Sequence, residues 1–181
     1  MNTNRLKSNN NVLYLLNTIF LVFFCSISIP AISQKTETDS IPLKICSFLD
    51  ESSNQDSVLL FAETYLGTPY KMGGRSAKGF DCSGFVHHVY KQFNIKVPYS
   101  CPAISSACAK KIEKVELQKG DLLFFKGSNI KSKAIGHIAI VYSVDEDGIK
   151  MIHSCRRGVI IDKLNDSKYY KARYLFAKRI M

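Results

Sequence analysis

Asp81-Cys82-Ser83-Gly84-Phe85-Val86-His87-His88-Val89-Tyr90-Lys91-Gln92-Phe93 is the stretch from which the architecture can be read. Phe85, Val86, Val89, Tyr90 and Phe93 fall on one apolar stripe of a helix about three turns long. Asp81 is a natural N-cap, which puts Cys82 in the first turn, and Pro98 bounds the helix downstream. There, unpaired backbone N–H groups and the positive end of the helix dipole favour a thiolate and can hold a developing oxyanion. Ser83 and Gly84 are poor interior helix residues, which suits a place that a substrate approaches closely.

Two histidines downstream complete a reaction centre. Gly136-His137-Ile138-Ala139-Ile140-Val141 is an apolar run opened by an imidazole, and Met151-Ile152-His153 closes the next run. Asp145 to Gly148 makes a hairpin loop between them. Any even pairing register puts the two imidazoles on one face and in neighbouring positions, whereas an odd one separates them. Cys82 is then the candidate nucleophile, His137 the general base and His153 the group that holds the His137 ring and tautomer. His87 and His88 are adjacent on the helix, so they point about 100° apart and read as surface or packing residues. One Cys and two His are also legitimate zinc ligands. The chain has no Cys-x-x-Cys or His-x-x-x-His pair, so no metal and no cofactor is expected.

The chain has 181 residues, 46% of them apolar, which suits one compact domain. Arg5 and Lys7 precede an apolar run from Val12 to Pro30, and Ala31-Ile32-Ser33 offers small residues at a cleavage point. Residues 1–33 are therefore expected to be a signal peptide, with an uncleaved anchor or acylation of Cys25 as alternatives. Residues 34–55 form a polar leader, and 56–181 the folded domain. Export to the periplasm, envelope or medium follows, with membrane contact only through an uncleaved or lipidated N-terminus. The net charge of +10 comes from 25 Lys+Arg against 15 Asp+Glu. The basic residues are scattered and no nucleic-acid-binding module is recognisable, so nucleic acid is not an expected partner. Of six cysteines, Cys101 and Cys108 could close a short loop, though the spacing matches no disulfide framework.

A helix starting near Asp56 or Ser57, with Val58, Phe61, Ala62, Tyr65 and Leu66 at helical spacing, ends at Gly67-Thr68-Pro69. Short β-branched or aromatic runs at 121–126, 137–142, 149–153, 159–162 and 174–180 then predict an antiparallel sheet of about five strands. Helices followed by a meander mean α+β, the sheet packed against the Cys82 helix.

Five motifs in order carry a resemblance. They are Gly67-Thr68-Pro69-Tyr70-Lys71-Met72-Gly73-Gly74, Phe80 to Val86, Leu117 to Phe125, Gly136 to Tyr142 and Ile152-His153-Ser154. Over roughly Ser57 to Met181 the chain resembles the NlpC-type papain-like cysteine peptidases of bacterial cell walls. The resemblance implies a papain-like fold and hydrolysis of amide bonds in peptidoglycan stem peptides, commonly between γ-D-glutamate and the diamino acid. It implies Cys82 as nucleophile, His137 as base and His153 as third polar residue. Tyr70 would line the site, and Asp81 and Ser83 would contact a free N-terminal amine. Peptidoglycan is then the expected partner and a monomer the expected state. A wall-binding protein with an idle site, or an amidase or acyltransferase using the same thiol, are the alternatives. Arg156-Arg157 departs from the smaller residues of many relatives and could meet substrate carboxylates or narrow the cleft.

Overall fold

The structure is a computed structural model and describes residues 54–108 and 110–180. The expected signal segment 1–33, its cleavage after Ser33, Cys25 and most of the polar leader lie outside those residues. Asn54 and Gln55, expected in the leader, are already helical.

Helix α1 covers residues 54–63 and buries Val58, Leu59 and Ala62. It stops a turn earlier than the apolar spacing suggests, so Leu66 is left exposed among the turns that lead to Gly67. A small hairpin of β1 (Arg75–Ser76) and β2 (Gly79–Phe80) then delivers the chain to helix α2 (Cys82–Gln92). Phe85, Val86, Val89 and Tyr90 of α2 are completely buried, as the stripe predicts. Helix α3 (Cys101–Ala107) follows, capped by Ser100, whose side chain accepts from the Ala103 backbone.

Six antiparallel strands make the sheet: β3 (Lys110–Ile112), β4 (Leu122–Lys126), β5 (Ile135–Asp145), β6 (Gly148–Cys155), β7 (Gly158–Lys163) and β8 (Tyr174–Arg179). Their spatial order is β3-β8-β4-β5-β6-β7, so the last strand inserts between the first and second. Helix α4 (Lys168–Arg173) links β7 to β8. The expected five strands are all present. The sixth, β3, has three residues, two of them exposed lysines at the sheet edge, where lysine opposes further pairing.

Both faces of the sheet are covered. Leu122, Phe124, Ile138, Ile140, Ile152 and Val159 meet the helical layer that includes α2. Leu123, Phe125, Ala139, Val141, Met151 and Ala177 form a second cluster on the alternate positions. This double burial explains why Leu122 to Phe125 and Ile138 to Val141 read as continuous apolar runs. Polar locks tie the layers. The Tyr90 hydroxyl of α2 donates to the Gly120 carbonyl, and the buried Asp121 carboxylate accepts two bonds from Arg179, of 2.7 and 2.9 Å.

The start of α2 is set by contact between backbones. A Cβ placed on Gly84 would stand 2.0 Å from the Gly74 carbonyl oxygen. The Asp81 N–H in turn donates to that same carbonyl at 3.0 Å. Gly84 is thus required by Gly74, and close substrate approach, its expected reason, is not what excludes a side chain here. Glycine to alanine inside a helix ordinarily stabilises by about 1 kcal/mol. At this position the sign reverses: Gly84→Ala is expected to lower the unfolding free energy by roughly 1 to 3 kcal/mol. Urea denaturation beside an alanine substitution at Gln92 would check it, and a stabilised Gly84→Ala would refute the close contact.

Candidate active site

Cys82 is the first residue of α2, and its cap is the Asp81 carboxylate, which accepts from Gly84 N–H at 2.6 Å and Ser83 Oγ at 3.0 Å. With Gly84 N–H taken by this cap and Phe85 N–H by the Asp81 carbonyl, the N–H groups of Cys82 and Ser83 are the first-turn donors left without an intrahelical partner beside the thiol. Tyr70 is brought to the same place by a parallel bridge to Phe80, two residues before Cys82. Ser154 Oγ donates to the Phe80 carbonyl at 2.8 Å, which fastens the end of β6 to the strand entering the nucleophile.

The histidines meet because β5 is irregular. Next to the hairpin, Asp145 faces Gly148 and Val144 faces Ile149; past Tyr142 the partners become Val141 with Met151 and Ile140 with Ile152. The extra residue changes the register from odd to even. His137 and His153 therefore share a face, and His137 Nε2 lies 3.0 Å from His153 Nδ1. His153 is completely buried, and its Nε2 lies 3.1 Å from Asp162 Oδ2 on β7. Tyr170 of α4 completes the enclosure, stacked on His137 at 5.7 Å and edge-on to His153 at 5.1 Å.

Asp162 orders the protons along this row. An ionised carboxylate only accepts, so His153 must present Nε2–H to it, which leaves the lone pair of a neutral ring on Nδ1. His137 then donates its Nε2–H to that lone pair and keeps its own lone pair on Nδ1, free to take a proton from the thiol. The electrostatics agree with this assignment. The hydrogen bond from His153 draws the Asp162 pKa down, against burial, with help from Arg157. Burial, the largest influence on His153, lowers its pKa and keeps the ring neutral, although Asp162 opposes this.

The second sulfur at the site is Cys101, first residue of α3, with Sγ 3.7 Å from Cys82 Sγ. A hydrogen bond from Cys101 is the largest cause lowering the Cys82 pKa from 9.0 to about 5; burial opposes it, and the hydrogen bond and charge of His137 add to it. The Cys101 thiol moves the other way, pushed up by its bond to Cys82 and by burial. Cys101 and Cys108 stand at opposite ends of α3, separated by about 10 Å of helix rise, too far for the loop-closing disulfide considered above. All four described cysteines are free.

The thiol opens into a cleft of about 670 Å³ shared by Tyr70, His137 and four cationic side chains, Lys126, Arg156, Arg157 and Arg173. Arg157 is bound to Asp162, Arg173 lies 3.7 Å over the Tyr169 ring, and Lys126 donates to the Ile130 carbonyl at 2.9 Å. Among the described residues, Arg156 alone of these four has no such partner. Its charge counters the rise in the Tyr70 pKa caused chiefly by burial and then by Cys82 and Asp81. A Cβ on Gly136 would come 2.3 Å from the Gly127 Cα, so the flanking strands converge closely at the rim beside His137.

Of the candidate residues named from the sequence, Tyr70, Cys82 and His137 line one cleft, His153 stands buried behind His137, and Asp81 and Ser83 flank Cys82 in the chain without lining the cleft. The hydroxyl of Ser83 is occupied by Asp81. Three members were missed. Asp162 was legible in principle, because the two-residue turn from Cys155 to Gly158 sets His153 opposite Ile160 and puts Asp162 on the same face. Cys101 and Tyr170 come from short helices without a clear apolar period. His88 packs inside an aromatic cluster, its Nε2 2.8 Å from the Tyr65 hydroxyl, and His87 contacts the Val97 carbonyl.

Residues 67–179 match the NlpC/P60 family. Over 129 residues the chain is 39% identical to a gamma-D-glutamyl-L-lysine dipeptidyl-peptidase of Bacillus cereus, covering 70% of this chain and 36% of that protein. It is 36% identical over 118 residues to a probable endopeptidase NlpC homolog of Haemophilus influenzae, covering 65% of this chain and 58% of that one. The chain thus spans about a third to somewhat over half of the length of these relatives. A crystal structure of an NlpC/P60 family protein from Bacillus cereus superposes with a TM-score of 0.62 at 34% identity, covering 70% of this chain and 40% of that one. The match takes in the helix that starts at the cysteine, both histidine strands and the last strand of the sheet, and by it the chain belongs to the NlpC/P60 family.

Proposed function

We propose that the protein is an exported cysteine peptidase that hydrolyses amide bonds in peptidoglycan stem peptides, at the bond between γ-D-glutamate and the diamino acid. The observation that carries this reading is the row Cys82, His137, His153, Asp162, which ends in an accepting carboxylate at one end and a solvent-accessible thiol at the other. The relative from Bacillus cereus, whose name specifies gamma-D-glutamyl-L-lysine, supports the choice of bond.

In this mechanism the Cys82 thiolate attacks the scissile carbonyl and the α2 first-turn N–H groups hold the oxyanion, with the Tyr70 hydroxyl beside them. His137, protonated as the thiolate forms, passes its proton to the departing amine. Collapse leaves a thioester, which water attacks with His137 as base. Asp81 and Ser83 lie at the thiol end, where a free N-terminal amine of the acyl portion would find a carboxylate. Arg156 offers its unpaired guanidinium to a carboxylate of the substrate. Export is carried by the N-terminal sequence, and the protein acts as a monomer without a cofactor.

Mass spectrometry of defined muropeptides is the direct test. The wild type is expected to release fragments cut after γ-D-glutamate and Cys82→Ala none, with far-ultraviolet circular dichroism unchanged. Equal release by both proteins would refute the reading. Loss of His137 should lower kcat by about 10² to 10⁴ and exceed the loss caused by His153→Ala. Asp162→Asn can offer an N–H where the carboxylate only accepts, so it should lower kcat by about tenfold or more.

The thiol can be titrated without substrate. Iodoacetamide labelling of Cys82 should rise with pH through a midpoint near 5 and stay level above it, because the depressed pKa leaves the thiolate populated at neutral pH and protonates it only in acid. A midpoint near about 8.5 would mean an ordinary thiol.

Arg156 separates the two arginines of the turn. Arg156→Ala should reduce kcat/KM about tenfold on stem peptides with free carboxylates and much less on amidated ones. A uniform loss on both would show that Arg156 only shapes the cleft.

A further inference from the structure

We infer that Cys82 and Cys101 form a reversible oxidation site, in which Cys101 is the resolving thiol that converts an oxidised Cys82 into an intramolecular disulfide. The peptide chemistry above asks of Cys101 only a hydrogen bond to the Cys82 thiolate, which a hydroxyl would supply as well. Yet the fold places a thiol 3.7 Å from the nucleophile, on a different helix and 19 residues away in sequence.

Three features of the site suit this chemistry. The first is reach: a disulfide needs about 2.05 Å between sulfurs, so the pair must close by about 1.7 Å, an amount that side-chain torsions can supply at two helix starts. The second is asymmetry of access. Cys82 lines the cleft, where a small oxidant meets it, whereas Cys101 is only 7% exposed and does not line it. The third is asymmetry of charge. Around the pair stand His137 from β5, Asp81 at the head of α2 and Tyr70 from the preceding loop, with Arg156 of the β6–β7 turn acting on Tyr70. The His137 contact lies on the Cys82 side, so Cys82 is the sulfur that is ionised and oxidised first.

The step balances with a hydroperoxide as oxidant. The Cys82 thiolate attacks one peroxide oxygen and the O–O bond breaks. The sulfur loses two electrons as it becomes a sulfenic acid, and the released hydroxide takes a proton to form water. Cys101 then attacks the Cys82 sulfur: an S–S bond forms, the S–O bond breaks, and the hydroxyl departs as water with the Cys101 proton. Two thiols and one hydrogen peroxide give one disulfide and two waters. Without Cys101 the sulfenic acid has no adjacent thiol among the described residues, and a second peroxide carries it to the sulfinic acid, which thiols do not reduce. The other described cysteines are poorly placed: Cys108 stands at the far end of α3, about 10 Å of helix rise from Cys101, and Cys155 of β6 makes no sulfur contact with Cys82 among the described residues.

The test reads mass and thiol labelling on the purified full chain, so it stands whether or not the peptidase reading does. With about two equivalents of hydrogen peroxide, the amount that the sulfinic acid requires, the wild type should lose two hydrogens, proteolytic mapping should find Cys82 joined to Cys101, and iodoacetamide labelling of Cys82 should disappear. Dithiothreitol should restore that labelling completely. Under the same exposure Cys101→Ala and Cys101→Ser should each gain two oxygens on Cys82, unaffected by dithiothreitol, and two different substitutions guard against a folding defect in one. The inference is overturned if Cys82 of the wild type reaches the sulfinic acid as fast as in the variants, or if it cross-links to Cys155 or Cys108 instead.

Discussion

The contact between Gly84 and the Gly74 carbonyl is the constraint from which the rest of the site follows. It lets the first turn of α2 lie directly against the loop that carries Tyr70, with Asp81 bonded to the same carbonyl. That loop is bridged to Phe80, Phe80 is bonded by Ser154 of β6, and β6 carries His153. The obstacle to a larger residue at position 84 is main chain, so no change of a neighbouring side chain could make room for it. A helix start and a tyrosine are thus indexed to one another through backbone atoms, the least substitutable part of a protein, and the histidine strand is joined to them by the Ser154 hydroxyl.

How much of this was legible depended on whether the signal was local. Cys82, Asp81 and the buried stripe lie within one helix, and their spacing determines their relation, so the sequence sufficed for them. The continuous apolar runs of β4 and β5 announced double burial for a comparable reason. The His137 and His153 pairing was a question of parity, and the parity is decided by one bulged residue near Tyr142 that no composition rule marks. Asp162 follows from the register of the tight β6–β7 hairpin and was within reach of the sequence, whereas Cys101 and Tyr170 reach the site only through tertiary packing. β3 escaped notice because three residues, two of them lysine, carry no period at all, and the short helices α3 and α4 carry too little.

The row of side chains behind the thiol has a direction, and its direction comes from its last member. A chain of imidazoles alone could hold its protons in either sense, each ring turning donor or acceptor as its neighbour dictates. An ionised carboxylate removes that freedom, since it accepts and never donates. Burial of His153 serves the same end by keeping the ring in its neutral form, for which only one arrangement fits between Asp162 and His137. A second imidazole can thereby take the place that a carboxylate or an amide holds in other triads, provided that something behind it fixes its tautomer.

The two-residue turn between β6 and β7 joins two of these themes. Arg157 grips Asp162, while its neighbour Arg156 faces the open cleft with no partner among the described residues. One short piece of backbone therefore touches both the far end of the proton row and the space a ligand would fill. Arg156 and Arg157 are adjacent in that turn, so any change that reshapes its backbone alters the charge of the cleft and the partner of Asp162 at the same time.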